Sequence, residues 1–221
     1  MIWTLREQRR TARLAGLAGG AGLAVAVLAG CGPLQAGSAA IIGDKVVAES
    51  TIADQVAEVN TLSGAAPGAA NLAATATTVS DAVVLSLLDL AAARRGVVVT
   101  QTQVDLQVAQ AVAAAGGEQA MNDRLVQTGV PPSLFPSIAR GQLQISAIGG
   151  QLLPAGTPQE QGAATRVELI ALSREVGVEV NPRYGTWDEE ALNLGPLSTQ
   201  LAAPPEAFSP SASPSASPSS S

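Results

Sequence analysis

Apolar positions recur along most of this chain with the period of an α-helix, and extended segments flank that helical stretch on both sides. Ser50 or Thr51 can cap a first helix in which Ile52, Val56, Val59 and Leu62 follow one another at intervals of four, three and three, giving one apolar face. Ser63-Gly64-Ala65-Ala66-Pro67-Gly68 then forms a loop. A longer second helix is expected from Leu72 to Arg95. There Val79, Val83, Val84, Leu87, Leu88 and Leu90 make a broad apolar surface, Arg94-Arg95 complement the dipole and Gly96 stops the helix. Val97-Val98-Val99 has strand propensity, but Thr100 with Gln103 has capping-box spacing, so the valines read as a connector packed on the core.

The third helix carries Val104, Val108, Val112 and Ala115 on one stripe and ends at Gly116-Gly117. A shorter fourth runs from about Glu118 to Gln127, stopped by Gly129 and Pro131-Pro132. For the fifth, Ser133 is the cap, Pro136 falls in the tolerated first turn, and Leu134, Ile138, Ile145, Ile148 and Leu152 are the apolar positions. Gly149-Gly150 and Pro154-Ala155-Gly156 are expected to break it. Thr157-Pro158-Gln159-Glu160 supplies a cap, an N1 proline and an N3 glutamate for the sixth, which continues through Val167, Ile170, Ala171 and Leu172 to Val176 and stops at Gly177. Before the helices, Ala39 to Val47 reads as a strand, a Gly43-Asp44 turn and a second extended piece. After them, Val178-Glu179-Val180 reads as a strand, and Asn181 to Asp188 as a turn with a further extended piece. The expected fold is mainly α, with about six helices between short strands.

Two segments fall outside this pattern. From about Leu201 periodicity is lost, and 209–221 contain only Ser, Pro and Ala, a composition that buries no core and is expected to be disordered. At the start, Arg6, Arg9, Arg10 and Arg13 precede an uncharged apolar run from Leu14 to Ala29, shorter than the roughly 20 residues a spanning helix needs. Leu28-Ala29-Gly30-Cys31 closes it, and the whole resembles the signal peptide of bacterial lipoproteins, whose lipobox has an aliphatic residue, two small residues and a cysteine. The resemblance implies a diacylglyceryl thioether on Cys31 and cleavage before it, hence a partner in the lipid bilayer and an extracytoplasmic, membrane-anchored location. Two or three acyl chains anchor a protein durably where one does not. Arg9-Arg10 followed by Thr11-Ala12-Arg13 fits a twin-arginine signal poorly, and the export route stays open. The expected division is a signal peptide at 1–30, a tether at 31–38, a helical domain at 39–190 and a tail at 191–221.

Composition removes most chemistry. The chain has 12 basic and 18 acidic residues and a net charge of −6. Four arginines and Glu7 leave with the leader, so eight basic and 17 acidic residues remain, a net charge of −9 that disfavours nucleic acid and anionic headgroups. There is no histidine, and the single cysteine is the lipid site. Ser-His-Asp and Cys-His catalysis and ordinary zinc sites are therefore excluded. Lys45, the sole lysine, has no Gly-x-x-x-x-Gly-Lys cradle before it, so a Walker-type ATPase is excluded. No nucleotide partner and no cofactor are expected. Asp188-Glu189-Glu190 is the densest acidic cluster and reads as a solvated patch. Tyr184 and Trp187 read as rings covering a seam of the domain.

The two ends of the domain carry a second resemblance. Ala39 to Val47 leading into a helix is similar to the opening of SurA/PrsA-type chaperones, with Ile41-Ile42-Gly43-Asp44 where that family often has a valine-asparagine-glycine strand. Val178 to Asp188 resembles the family's closing segment. The resemblance implies a SurA N-terminal-like helical domain in which the first strand pairs with the strand after the last helix. Many relatives insert a parvulin-type prolyl isomerase before the last helix, but the break from Gly149 to Gly156 is too short for one. The implied function is ATP-independent binding of unfolded or extended exported polypeptide, without enzymatic activity. The alternative is a structural or regulatory subunit docking one envelope protein. Val84, Leu88, Phe135 and Ile138 are the candidate groove residues, on helices whose apolar surface is wider than one core requires.

Overall fold

The computed structural model describes residues 36–66 and 68–195. Cys31 and the leader lie outside them, as does the Ser/Pro/Ala tail from 196 onward. Two strands open the domain, β1 (Ser38–Ile42) and β2 (Lys45–Ala48), joined by the expected Gly43-Asp44 turn. Gly43 holds φ at +56°, a conformation that glycine adopts without strain. Six helices follow: α1 (Glu49–Leu62), α2 (Leu72–Arg94), α3 (Gln101–Ala115), α4 (Glu118–Gln127), α5 (Phe135–Leu152) and α6 (Pro158–Val176). Strand β3 (Val178–Val180) and a small hairpin of β4 (Trp187–Asp188) and β5 (Asn193–Leu194) close it.

β1 is the middle strand of an antiparallel sheet ordered β2-β1-β3. Ala40 lies opposite Val180, and Ile42 opposite Val178, so the beginning and end of the domain meet in one ladder. The pairing continues past both ends of β3, through Asn181 N–H to Ala39 O (2.9 Å) and Gly43 N–H to Gly177 O (3.2 Å). Three-residue strands are marginal alone, and joining them through β1 gives each a partner and a shared buried face.

That face rests on α2. Val79, Val83, Leu87 and Leu88 of α2 are buried against Ala39, Ala40 and Ile42 of β1, Ile52 of α1, Ile148 of α5 and Leu169 and Leu172 of α6. Among the described residues α2 is the one helix long and apolar enough to cross a bilayer, and it is packed by α1, α5, α6, β1 and β5. A helix with so wide an apolar surface packs against several neighbours at once. Trp187 seals one side: its ring is buried and its indole N–H donates to the hydroxyl of fully buried Ser173 at 3.0 Å. α3 packs on α5, and α4 packs on α3 with no fully buried residue of its own.

The capping boxes at Thr100–Gln103 and Thr157–Glu160 are both formed, starting α3 and α6. Several expectations are corrected. α1 starts at Glu49 behind Ala48 and uses no side-chain cap. Ser133 lies in a 3₁₀ turn (Pro132–Leu134), where its N–H donates to the Glu58 carboxylate at 3.0 Å and its hydroxyl bonds the same group. Val98 is 81% exposed, so only Val97 of the valine connector packs on the core. Leu62 is exposed at the end of α1.

Gly149-Gly150 do not break α5. A Cβ on Gly149 would stand 2.6 Å from Gln161 O, so this glycine lets α5 and α6 touch at backbone distance. Residues 153–157 alone connect these helices, leaving no inserted domain between them. At the C-terminal end, β5 carries the ordered hairpin to Leu194, past the expected boundary at 190. Asp188 is not merely solvated there, since its carboxylate accepts the N–H groups of Glu190 (2.9 Å) and Ala191 (2.8 Å) in the hairpin turn. Arg174 of α6 pairs with Glu189 and Glu190 at 3.4 and 3.1 Å.

Candidate functional site

α1 turns its larger apolar side chains inward and its smallest ones outward. Ile52 and Val59 are buried, whereas Ala53 and Ala57, one helical turn apart, are exposed. Opposite them runs the loop between α1 and α2, built of Ala65, Ala66, Ala69 and Ala70 with glycines at positive φ at 64 and 68. Small side chains on both sides leave space, and the result is a groove of about 540 Å³ floored by Ile52 and Val56. Its lining is mostly apolar, as in sites that hold apolar side chains.

Two asparagines keep the groove from collapsing. Asn60 Nδ2 donates to Ala69 O at 2.9 Å, and Asn71 Nδ2 donates to Asn60 Oδ1 at 2.9 Å. Asn71 Oδ1 accepts Ala74 N–H at 3.0 Å and so caps α2 as well. The loop backbone is thereby fixed to both helices, with the amide groups paired to each other at one end of the groove.

Tyr184 lines the other end and also lines a second compartment of about 360 Å³, bounded by Leu72, Ala76 and Leu194. Thr75 and Tyr184 belong to both, so the two compartments adjoin across the ring. Leu72 is 70% exposed at this mouth. Arg183 sits 4.9 Å from the Tyr184 ring centroid and donates to its hydroxyl at 2.8 Å. The same guanidinium pairs with Glu49 at 2.8 Å, and Asn181 Nδ2 donates to Glu49 at 2.9 Å and lies 3.3 Å from Ser38 O. The first residue of α1 therefore positions the groove's aromatic wall through the joint where β1 and β3 meet.

The expected groove residues lie elsewhere. Leu88 is only 2% exposed and completes the core. Val84 is half-buried against the same core, and Phe135 and Ile138 are half-buried at the start of α5. None of the four lines the groove along α1. Tyr184 was singled out by its type, but the alanines that create the space carry no signal of their own in an apolar-period reading. Among the described residues no cluster of metal-ligating side chains occurs. Comparison with protein-family models, with curated proteins and with solved structures finds no match for this chain.

Proposed function

We propose that this chain is a membrane-anchored extracytoplasmic lipoprotein of the SurA/PrsA type. Its helical domain holds unfolded or extended polypeptide without ATP and catalyses no reaction. The observation that carries the binding part is the groove along α1: it is apolar, open, braced by paired asparagines and walled by an aromatic ring. Such a surface accepts apolar side chains of varied shape, which suits clients that share only exposed hydrophobic residues. The antiparallel meeting of β1 and β3 supports the family resemblance, because that pairing is what the resemblance implies. Leu28-Ala29-Gly30-Cys31 supports the lipid anchor.

Binding the unfolded state lowers its free concentration, so aggregation slows by mass action. The test uses the processed full chain with several unrelated denatured proteins. It should slow aggregation of each at near-stoichiometric ratio, and Ala57→Trp, which fills the groove from an exposed position, should remove the effect without loss of fold. A chain that slows none of them while binding one envelope protein would instead be a docking subunit. For the anchor, metabolic labelling with palmitate should mark the wild type and not Cys31→Ser, and an unlabelled wild type with its leader intact would refute it.

A further inference from the structure

Hydrogen bonds at the two ends of the β1–β3 ladder fix the direction in which the backbone of each strand faces. Asn181 N–H bonds Ala39 O and Gly43 N–H bonds Gly177 O, so residues 39, 41 and 43 turn their backbone groups toward β3. In an antiparallel ladder successive residues face opposite neighbours, so Ala40 and Ile42 face β2, opposite Val47 and Lys45. Val46, between them, turns its N–H and C=O away from β1. No strand lies on that side among the described residues, and the Val46 side chain is 46% exposed.

The open edge of β2 faces a cleft of about 420 Å³ whose far side is α5 and whose floor is Leu85 of α2. One feature of the cleft points to an occupant. Arg140 of α5 lines it and, among the described residues, donates only to Val99 O (3.0 Å) and Gln101 Oε1 (2.9 Å), both neutral, whereas the nearby charges of Lys45 and Asp89 pair with each other at 3.2 Å. The cleft thus offers a backbone edge and, among the described residues, one cation without a carboxylate.

We propose that an extended polypeptide segment bearing an acidic side chain adds to β2 as a fourth strand in this cleft. A strand about 4.8 Å beyond β2 would lie over α2, between the sheet and α5. It would exchange two hydrogen bonds with Val46 and bring its carboxylate to Arg140. Main-chain pairing of this kind is indifferent to most of the client sequence. The proposal rests on the polypeptide-binding reading and adds a second contact to it, distinct from the groove along α1.

The probe is a short fluorescent peptide of alternating valine and threonine with a central glutamate, added to the processed full chain. Val46→Pro should leave β1–β2 pairing and the thermal transition intact, since an outward N–H is lost. It should weaken peptide binding about tenfold, the scale of one or two lost hydrogen bonds. Replacing the peptide's glutamate by lysine should weaken binding several-fold, and Arg140→Gln should erase that difference. In the free chain the Val46 amide should exchange rapidly with solvent and become protected on peptide addition. A Val46 amide already protected without peptide, or Val46→Pro binding as well as wild type, overturns the proposal. If wild type suppresses aggregation while Val46→Pro does so equally, the edge fails and the groove stands. If neither suppresses aggregation, the polypeptide-binding reading itself has failed.

Discussion

Adjacent glycines in α5 should respond to the same substitution with opposite signs. A Cβ added to Gly149 would lie 2.6 Å from Gln161 O, 2.7 Å from Gln161 Cβ and 2.8 Å from Gln161 C, distances that real contacts do not show. Two of these atoms are backbone, so no rotamer change relieves the clash and α5 must move away from α6. Overpacking of this kind costs about 1–3 kcal/mol, against which alanine recovers about 0.5–1 kcal/mol of helix propensity, leaving Gly149→Ala destabilised by roughly 1–2 kcal/mol. Gly150, the next residue of the same helix, has nothing within 4 Å of its would-be Cβ. Gly150→Ala should therefore be stabilised by about 0.5 kcal/mol, somewhat less than mid-helix because it stands in the last turn. For a domain of this size 1 kcal/mol moves Tm by about 2–4 °C, so the two variants should separate by several degrees on either side of wild type in a far-UV circular dichroism melt. Gln161→Gly in the Gly149→Ala background should restore little, because the carbonyl oxygen remains. Stabilisation by Gly149→Ala equal to that of Gly150→Ala would refute the backbone contact and with it the account of why α5 continues through two glycines.

Three further outcomes follow from single side chains. Asp81, on α2, has its pKa raised by burial to about 6 and has no ion-pair partner among the described residues. Its folded pKa exceeds the unfolded one, so its favourable contribution is full below about pH 4 and is lost as pH rises through about 6. Asp81→Asn should be more stable than wild type above pH 6, on the order of 1 kcal/mol after allowing for solvent screening, and should converge with it at low pH; parallel urea midpoints across this window would refute the burial. Trp187→Phe removes the donor to fully buried Ser173 and should cost about 1–2 kcal/mol in urea unfolding, and an unchanged midpoint would show that bond to be immaterial. Asn71→Ala loses both the α2 cap and the brace to Asn60, which should cost about 1–2 kcal/mol and weaken client binding beyond what destabilisation explains; full binding by a folded variant would show that the groove needs no brace.

The helices were legible where local chemistry decides them. The two capping boxes set the starts of α3 and α6, and Glu118 to Gln127 has the observed bounds of α4. Local signals failed where a distant element decides. Gly149-Gly150 looks like a stop, yet the close approach of Gln161 requires a residue without a Cβ and packing overrides propensity. Asn71 was missed as a cap because its place depends on Asn60, eleven residues earlier, holding the loop.

The same logic separates the candidate groove residues from the groove along α1. Large apolar side chains on a long helix mark what the core consumes, and Leu88, 2% exposed, has no surface left to line. A groove is made by what is small: Ala53 and Ala57 on α1 facing the alanine-rich loop, with Tyr184 supplied from beyond the last helix. An apolar-period count weights alanine least, and it cannot bring Tyr184 to α1 without the β1–β3 pairing and the Glu49–Arg183 contact. Groove and strand joint are therefore coupled. A change at Glu49 that leaves every groove-lining residue intact should still shift Tyr184, and the affinity for apolar side chains with it.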